Sequence, residues 1–300
     1  MKSAIIKYLF IGVLLWLISA SYGHYVAYTY AGRTRTPLPE NKLDFISEAA
    51  EKIFPGKLNI KAKAAIIVDA NSGDVLYAKN ANSQLPIASL TKLATALVYL
   101  QYDPDLIDTI TVMGEDYPSN RRTKLYKGEK LAANHCLHLC LMCSDNVAAN
   151  ALARSTGLSR EEFVGKMNAL ARQLGMTKTT YVEPTGLDAG NMSSAADYIK
   201  LIDRAYNNKT ISDISKKKSF QFKPINKKVT HTLYNTNRLL YSRWQIVGGK
   251  TGYISQSGYC LAVDAIDDDG QRIKAVILGA PSNGYRYRDA NKLLAYACKG

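Results

Sequence analysis

The apolar positions of this 300-residue chain fall into runs of different period. The first run is unbroken, from Tyr8 to Ile18, with Lys2 and Lys7 before it and Ser19, Ala20, Ser21 and Gly23 after it. Basic, then apolar, then small is the order of a secretory signal. The run is shorter than the roughly 20 apolar residues that a membrane-spanning helix needs. Residues 1–23 are therefore expected to be a signal peptide, cut between Ala20 and Ala27, with an uncleaved anchor as the alternative. Residues 24–58 read as a tether followed by a helix: polar, aromatic and proline-containing to residue 41, then Leu43, Ile46, Ala50 and Ile53 at helical spacing until Pro55-Gly56. The domain proper is expected over 59–300.

Within it, Ala64–Asp69 and Val75–Ala78 read as strands joined by the turn Asn71-Ser72-Gly73. A loop from Asn80 to Pro86 leads to Ala88-Ser89, and Leu90–Leu100 is apolar and rich in helix formers. Helical spacing covers 130–155, 159–174 and 194–206. Strand-like runs return at Gln245–Val247 with Lys250–Ile254, Gly258–Ala265 and Arg272–Gly279. Asp267-Asp268-Asp269-Gly270 makes the last turn, and a helix over Tyr287–Ala297 closes the chain. Strands at both ends with helices between them predict an α+β fold: an antiparallel sheet of chain-distant strands, flanked by helices and carrying a helical insert.

Composition adds an ample core, with 47% hydrophobic and 21% charged residues. The net charge of +14 suits an anionic membrane surface, an acidic polymer or nucleic acid. No zinc-finger, RRM-like or basic-helix pattern supports nucleic acid. The lysine runs at Lys216–Lys218 and Lys227-Lys228 read as a solvated basic face. Cys136, Cys140 and Cys143 alternate with leucines beside His135 and His138, the pattern of buried small hydrophobes rather than of a metal site. Five cysteines, Cys260 and Cys298 included, cannot all pair within the chain.

No Gly-x-Ser-x-Gly elbow, metalloprotease helix, phosphate loop or dinucleotide fingerprint occurs. What remains is Ser89-Leu90-Thr91-Lys92. Residues at i and i+3 share a helix face. A lysine stem buried by Leu93, Ala96 and Leu97 would have a lowered pKa, and its neutral amine could take the proton of Ser89. The pattern is cheap alone, because Ser215 and Lys218 match it too and a serine at a helix start is ordinarily a cap. Two further motifs single it out: Ser144-Asp145-Asn146, interrupting a helical pattern, and Lys250-Thr251-Gly252, on a strand before Tyr253. Together the three are the set of class A β-lactamases and penicillin-binding proteins.

From about Lys63 onward the chain resembles the low-molecular-mass penicillin-binding proteins, serine D-alanyl-D-alanine peptidases of peptidoglycan. Ile67-Val68-Asp69-Ala70, Glu183-Pro184-Thr185-Gly186-Leu187 and Tyr234-Asn235-Thr236-Asn237 support the resemblance. Tyr181-Val182 before that glutamate and Arg238-Leu239 after that asparagine point to the endopeptidase type, penicillin-binding protein 7/8. So does an end soon after Ala297, where carboxypeptidase relatives often append a β-rich domain and an amphipathic helix. The resemblance implies a β-lactamase/DD-peptidase-like transpeptidase fold. It implies Ser89 as nucleophile, Lys92 as base, Ser144 and Lys250 as a proton relay, and the backbone N–H groups of Ser89 and Tyr253 as the oxyanion hole. Asn146, Lys250, Thr251 and Gly252 would bind substrate. It implies peptidoglycan peptides as substrate, β-lactam antibiotics as covalent inhibitors, no metal or cofactor, no nucleic acid and a periplasmic location, and it leaves room for a peripheral membrane contact.

Three rivals share these motifs. A D-Ala-D-Ala carboxypeptidase would use the same chemistry on pentapeptides. A β-lactamase needs a deacylating glutamate, and Glu161, Glu162 and Asn168 lie in the right region at the wrong spacing. A penicillin-sensing domain would need a tethering membrane segment.

Overall fold

The computed structural model describes residues 58–118 and 123–298. The expected signal at 1–23 and the helix over Leu43–Phe54 lie outside those residues. In chain order, β1 (Ala64–Asp69) and β2 (Val75–Lys79) form a hairpin, and β3 (Leu85–Pro86) leads into the helix α1 (Lys92–Leu100). Then come β4 (Thr109–Thr111), β5 (Lys130–Ala132), α2 (Ala133–Met142), α3 (Asn146–Ser155) and α4 (Arg160–Gln173). They are followed by β6 (Met192–Ser193), α5 (Ala195–Tyr206), α6 (Lys209–Ser215), β7 (Ser219–Phe222) and β8 (His231–Tyr234). The chain returns through β9 (Gln245–Ile254), β10 (Gly258–Ile266) and β11 (Arg272–Ala280) and ends on α7 (Asn283–Ala297).

The main sheet has the order β2-β1-β11-β10-β9, every pair antiparallel. First and last strands of the chain thus meet at its centre, as the sequence pattern implied. The alternation of side chains along a strand divides two cores. Ile66, Val68, Ala262, Val276 and Leu278 face the helical layer. Ala65, Ile67, Leu261, Val263, Ile273, Ala275 and Ile277 face α7. Both sheet faces are covered, which is why these strands read as apolar runs instead of alternating ones. Helix α1 is buried from Lys92 to Tyr99 and forms the centre of the helical layer. A helix apolar on every side belongs in such a place.

Three boundaries differ from the sequence reading. The helix expected over 130–155 is a strand and two helices. Lys130–Ala132 pairs with Thr109–Thr111, and the helix breaks at Ser144, whose φ is +61°. Asp145 caps α3 by accepting from the N–H of Ala148 at 3.0 Å. Strand β9 runs unbroken through Gly248-Gly249, because β10 pairs with it along its length. Helix α7 starts at Asn283, before the apolar spacing begins, because Ser282 caps it.

One clamp ties the two ends of the domain together. Asp289 on α7 is fully buried, and its carboxylate accepts from the N–H of Lys61 at 2.9 Å and of Ala62 at 2.8 Å. Asp289→Ala leaves both donors without this partner just before β1. The buried Ala62 N–H, stranded in this way, typically costs about 1–3 kcal/mol. The expected result is a lower urea midpoint at unchanged slope, read by circular dichroism.

Candidate active site

Ser89 lies on a 3-10 turn, Ala88–Thr91, directly before α1. It does not cap the helix: the Oγ makes no cap bond. It faces Lys92 instead, whose Nζ lies 3.0 Å away. The turn is set by Ala88 at φ +49°, a region sparsely allowed for a residue with a Cβ, and the Thr91 hydroxyl donates to the Ala88 carbonyl at 2.8 Å. Backbone held in such a region is found where surrounding structure over-determines it, often at reactive sites.

Lys92 is fully buried, and its Nζ has two other partners, Asn146 Oδ1 at 2.6 Å and the Thr185 carbonyl at 2.5 Å. Both are acceptors only, so two N–H bonds satisfy them. The third position faces a hydroxyl that can donate. A neutral amine fits this set with its lone pair on the Ser89 proton. Burial pushes the Lys92 pKa down to about 8, opposed by the charges of Glu183 and Asp145. Desolvation is therefore what would ready this amine to accept a proton.

The break between α2 and α3 delivers Ser144 and Asn146. Lys250, on β9, donates to Ser144 Oγ and to its own neighbour's carbonyl at Thr251, 2.9 Å. Burial, and then the charge of Lys92, push the Lys250 pKa down to about 7. Cys140 is buried on α2 near both lysines, a thiol that burial pushes up to about 11. The sequence-predicted residues Ser89, Lys92, Ser144, Asn146 and Lys250 are thus joined by hydrogen bonds into two adjacent sets. Thr251 and Gly252 follow on the same strand. A Cβ on Gly252 would lie 2.9 Å from the Ile87 carbonyl oxygen and 3.2 Å from Ser89 N, so β9 passes within backbone contact of Ser89. Tyr253 is half-exposed and stacks on Tyr259 with centroids 4.3 Å apart.

Four further residues complete the site. Glu183 is buried, and its carboxylate accepts from Thr185 N and Oγ1, both at 2.6 Å, from Gly186 N, and from Asn191 Nδ2 at 2.5 Å. It shapes the loop that presents the Thr185 carbonyl to Lys92. Thr236 places its hydroxyl 2.7 Å from that of Thr251. Arg286, buried on α7, donates to the carbonyls of Gly252 at 3.1 Å and Cys260 at 3.4 Å, fixing β9 from behind. The segments holding Glu183, Thr185 and Thr236 stood out in the sequence as family marks; nothing there signalled their contacts. Arg286 carried no signal.

No group of His, Cys, Asp or Glu among the described residues is arranged to hold a metal ion, and all five cysteines are free thiols. Cys136 and Cys140 are fully buried, as small hydrophobes would be.

The arrangement sets a buried lysine amine against a serine hydroxyl, as a proton transfer between them would need. A family model for D-alanyl-D-alanine carboxypeptidases matches residues 49–282. The chain is 32% identical over 245 residues to the D-alanyl-D-alanine endopeptidase of Pseudomonas aeruginosa, covering 80% of this chain and 78% of that one. It is 32% identical over 252 residues to the D-alanyl-D-alanine carboxypeptidase DacC of Escherichia coli, covering 79% of this chain and 61% of that one. Among solved structures, the Streptomyces K15 DD-transpeptidase superposes with a TM-score of 0.77 at 29% identity, over 82% of this chain and all of the other.

Proposed function

The chain belongs to the D-alanyl-D-alanine carboxypeptidase family of serine peptidases, and on that premise we propose that it is an exported peptidoglycan hydrolase cutting D-Ala-diaminopimelate cross-links through an acyl-enzyme on Ser89. The observation that carries this reading is the Lys92 Nζ, buried, with two carbonyl-type acceptors and the Ser89 hydroxyl as its partners.

Ser89 Oγ attacks the D-Ala carbonyl carbon while Lys92 Nζ takes its proton. The carbonyl oxygen becomes an oxyanion, received by the N–H groups of Ser89 and Tyr253, each such donor being worth about 2.7–4 kcal/mol in comparable enzymes. The C–N bond then breaks. Ser144 and Lys250 pass a proton to the leaving amine, and the acyl group stays on Ser89 as an ester until water releases it. Asn146 aligns the substrate peptide. Thr251, with Thr236 beside it, takes the carboxylate next to the scissile bond, and Gly252 leaves the room that this approach needs. That carboxylate favours the charged form of Lys250, and a charged Lys250 keeps Lys92 neutral. A bound substrate thereby helps to prepare its own base. A β-lactam would follow the same path with its leaving nitrogen tethered to the acyl group, so the adduct persists.

The endopeptidase preference rests on likeness to the Pseudomonas protein over most of both chains. Carboxypeptidase action shares every step, since a diaminopimelate cross-link also carries a free carboxylate beside the scissile bond. A wall substrate is met in the periplasm, and the basic-apolar-small pattern over residues 2–23 supports export to it. Incubation with cross-linked muropeptide dimers and with pentapeptide monomers, followed by mass spectrometry, tests the reading. Conversion of dimers to monomers is the expected result. Loss of terminal D-Ala with dimers intact would make it a carboxypeptidase, and rapid turnover of penicillin would make it a β-lactamase.

A further inference from the structure

The net charge of the chain is concentrated in one place. Residues 123–130 and 216–243 hold eleven lysines and arginines and a single acidic residue, Glu129. Glu129 is turned inward, buried, with its carboxylate 3.3 Å from His231 Nε2. The two segments form one surface built on the hairpin β7–β8. The Lys124 ammonium donates to the Thr232 carbonyl at 2.6 Å. At the tip, Ile225 N donates to the Lys130 carbonyl at 2.7 Å. Asn226 there accepts from Lys130 N at 2.9 Å and donates to the Gly128 carbonyl at 2.8 Å. The tip is thus fixed in place.

The hairpin has two unlike faces. Phe220 and Phe222 turn inward and stack on His138 and His135 of α2. Gln221 and Thr232 join each other across the outer face. Lys124, Lys127, Lys130, Lys218, Lys223, Lys227 and Lys228 are exposed, and none makes an ion pair among the described residues. Lys216 differs, being paired with Asp213.

These cations run toward the catalytic cleft. Lys223, Lys227 and Lys228 lie at the tip, and Lys124 meets the middle of β8. Lys218 is at the base, where its carbonyl accepts from Asn235 N and its ammonium lies 5.1 Å from the centroid of the exposed Tyr241 ring. The next residue, Thr236, touches Thr251. Strand rise makes the β7–β8 track roughly 13 Å long from base to tip.

We propose that this hairpin face is a second binding site for the acidic glycopeptide polymer whose bonds Ser89 cleaves, engaging free carboxylates on peptide stems neighbouring the one in the cleft. The proposal rests on the peptidoglycan reading above. A track of unpaired cations leading into the cleft matches a polymer with carboxylates at intervals. A lipid surface would match a cluster confined to the tip. The site holds the enzyme on the insoluble wall and takes no part in the chemistry.

The test compares wild type with the triple variant Lys223→Gln, Lys227→Gln, Lys228→Gln, and with Lys227→Glu, Lys228→Glu. Co-sedimentation with purified sacculi is measured across a sodium chloride series, beside vesicles rich in phosphatidylglycerol and acylation by fluorescent penicillin. Wild type is expected to bind sacculi with an affinity that falls steeply as salt rises. The triple variant is expected to lose about tenfold at low salt, with penicillin acylation unchanged, from three exposed charge contacts of modest strength each. The charge-reversal variant is expected to lose at least as much. Sedimentation of both variants equal to wild type overturns the proposal. So does binding that ignores salt, or a loss seen on the vesicles and absent on sacculi. Because sedimentation needs no turnover, a wild type that binds sacculi in this way yet takes no penicillin would sink the catalytic reading alone.

Discussion

Lys92→Met is expected to lower the rate of penicillin acylation of Ser89 by about 10²–10⁴-fold, the usual contribution of a positioned general base. The thioether roughly fills the volume of the fully buried lysine stem but has no lone pair basic enough to take the Ser89 proton. Stopped-flow mixing with a reporter β-lactam measures it. A variant within threefold of wild type would remove Lys92 from the mechanism. Ser89→Ala sets the floor, with no covalent adduct at all. In wild type, acylation is expected to rise as pH passes through about 8, where the buried amine loses its proton; the methionine variant loses that limb. Stability follows the same group with a defined sign. The folded pKa lies below the ordinary 10.5, so the unfolded chain binds more protons between about 8 and 10.5, and wild-type stability rises with pH across that window. Below about 8 the lysine opposes folding. Methionine removes this burden and also leaves Asn146 Oδ1 and the Thr185 carbonyl without their donor. The diagnostic is therefore the slope of stability against pH, which the substitution flattens.

The groups proposed to react were visible in the sequence because they fall in short motifs with a defined chemistry. Ser89 and Lys92 lie one turn apart, and the apolar runs over Ala64–Asp69 and Arg272–Gly279 marked the sheet whose strand β9 brings Lys250 to them. Other parts of the site were illegible for a physical reason: they act through backbone atoms or across long stretches of chain. Thr185 serves Lys92 by its carbonyl, which every residue possesses. Glu183 works on N–H groups of its own loop. Arg286 reaches Gly252 from α7, on the far side of the sheet from α1. The hairpin β7–β8 was hidden differently. Its four-residue strands are flanked by lysines, and its inward Phe220 and Phe222 pack on imidazoles that read, in sequence, as neighbours of cysteines. The break at Ser144 was foreseen as an interruption, yet its cause, a left-handed residue followed by a capping aspartate, is a matter of backbone geometry.

Gly186 has no room for a side chain, and Gly186→Ala is expected to lose about 100-fold or more in acylation rate while also unfolding at lower denaturant. Two constraints act at once. Its φ is +82°, where a Cβ is strained, and the Cβ would lie 2.0 Å from the Ala88 carbonyl oxygen and 2.8 Å from Ser89 N. Those atoms are backbone, so no side chain can swing away. The 3-10 turn must move, or the Glu183 loop must. Movement of the turn displaces Ser89, and a misplacement of about 1 Å at a reacting group can cost 10²-fold. Movement of the loop withdraws the Thr185 carbonyl and with it one of the two acceptors that orient the Lys92 lone pair. The left-handed backbone costs about 1–2 kcal/mol for a residue with a Cβ, and overpacking adds typically 1–3 kcal/mol. Loss of the rate therefore exceeds what partial unfolding explains. Titration of active sites with fluorescent penicillin separates the two: correctly folded protein that acylates slowly, rather than a small fraction acylating fast, is the expected outcome. If the variant acylates at the wild-type rate, the contact between the Glu183 loop and the nucleophile turn does not position Ser89.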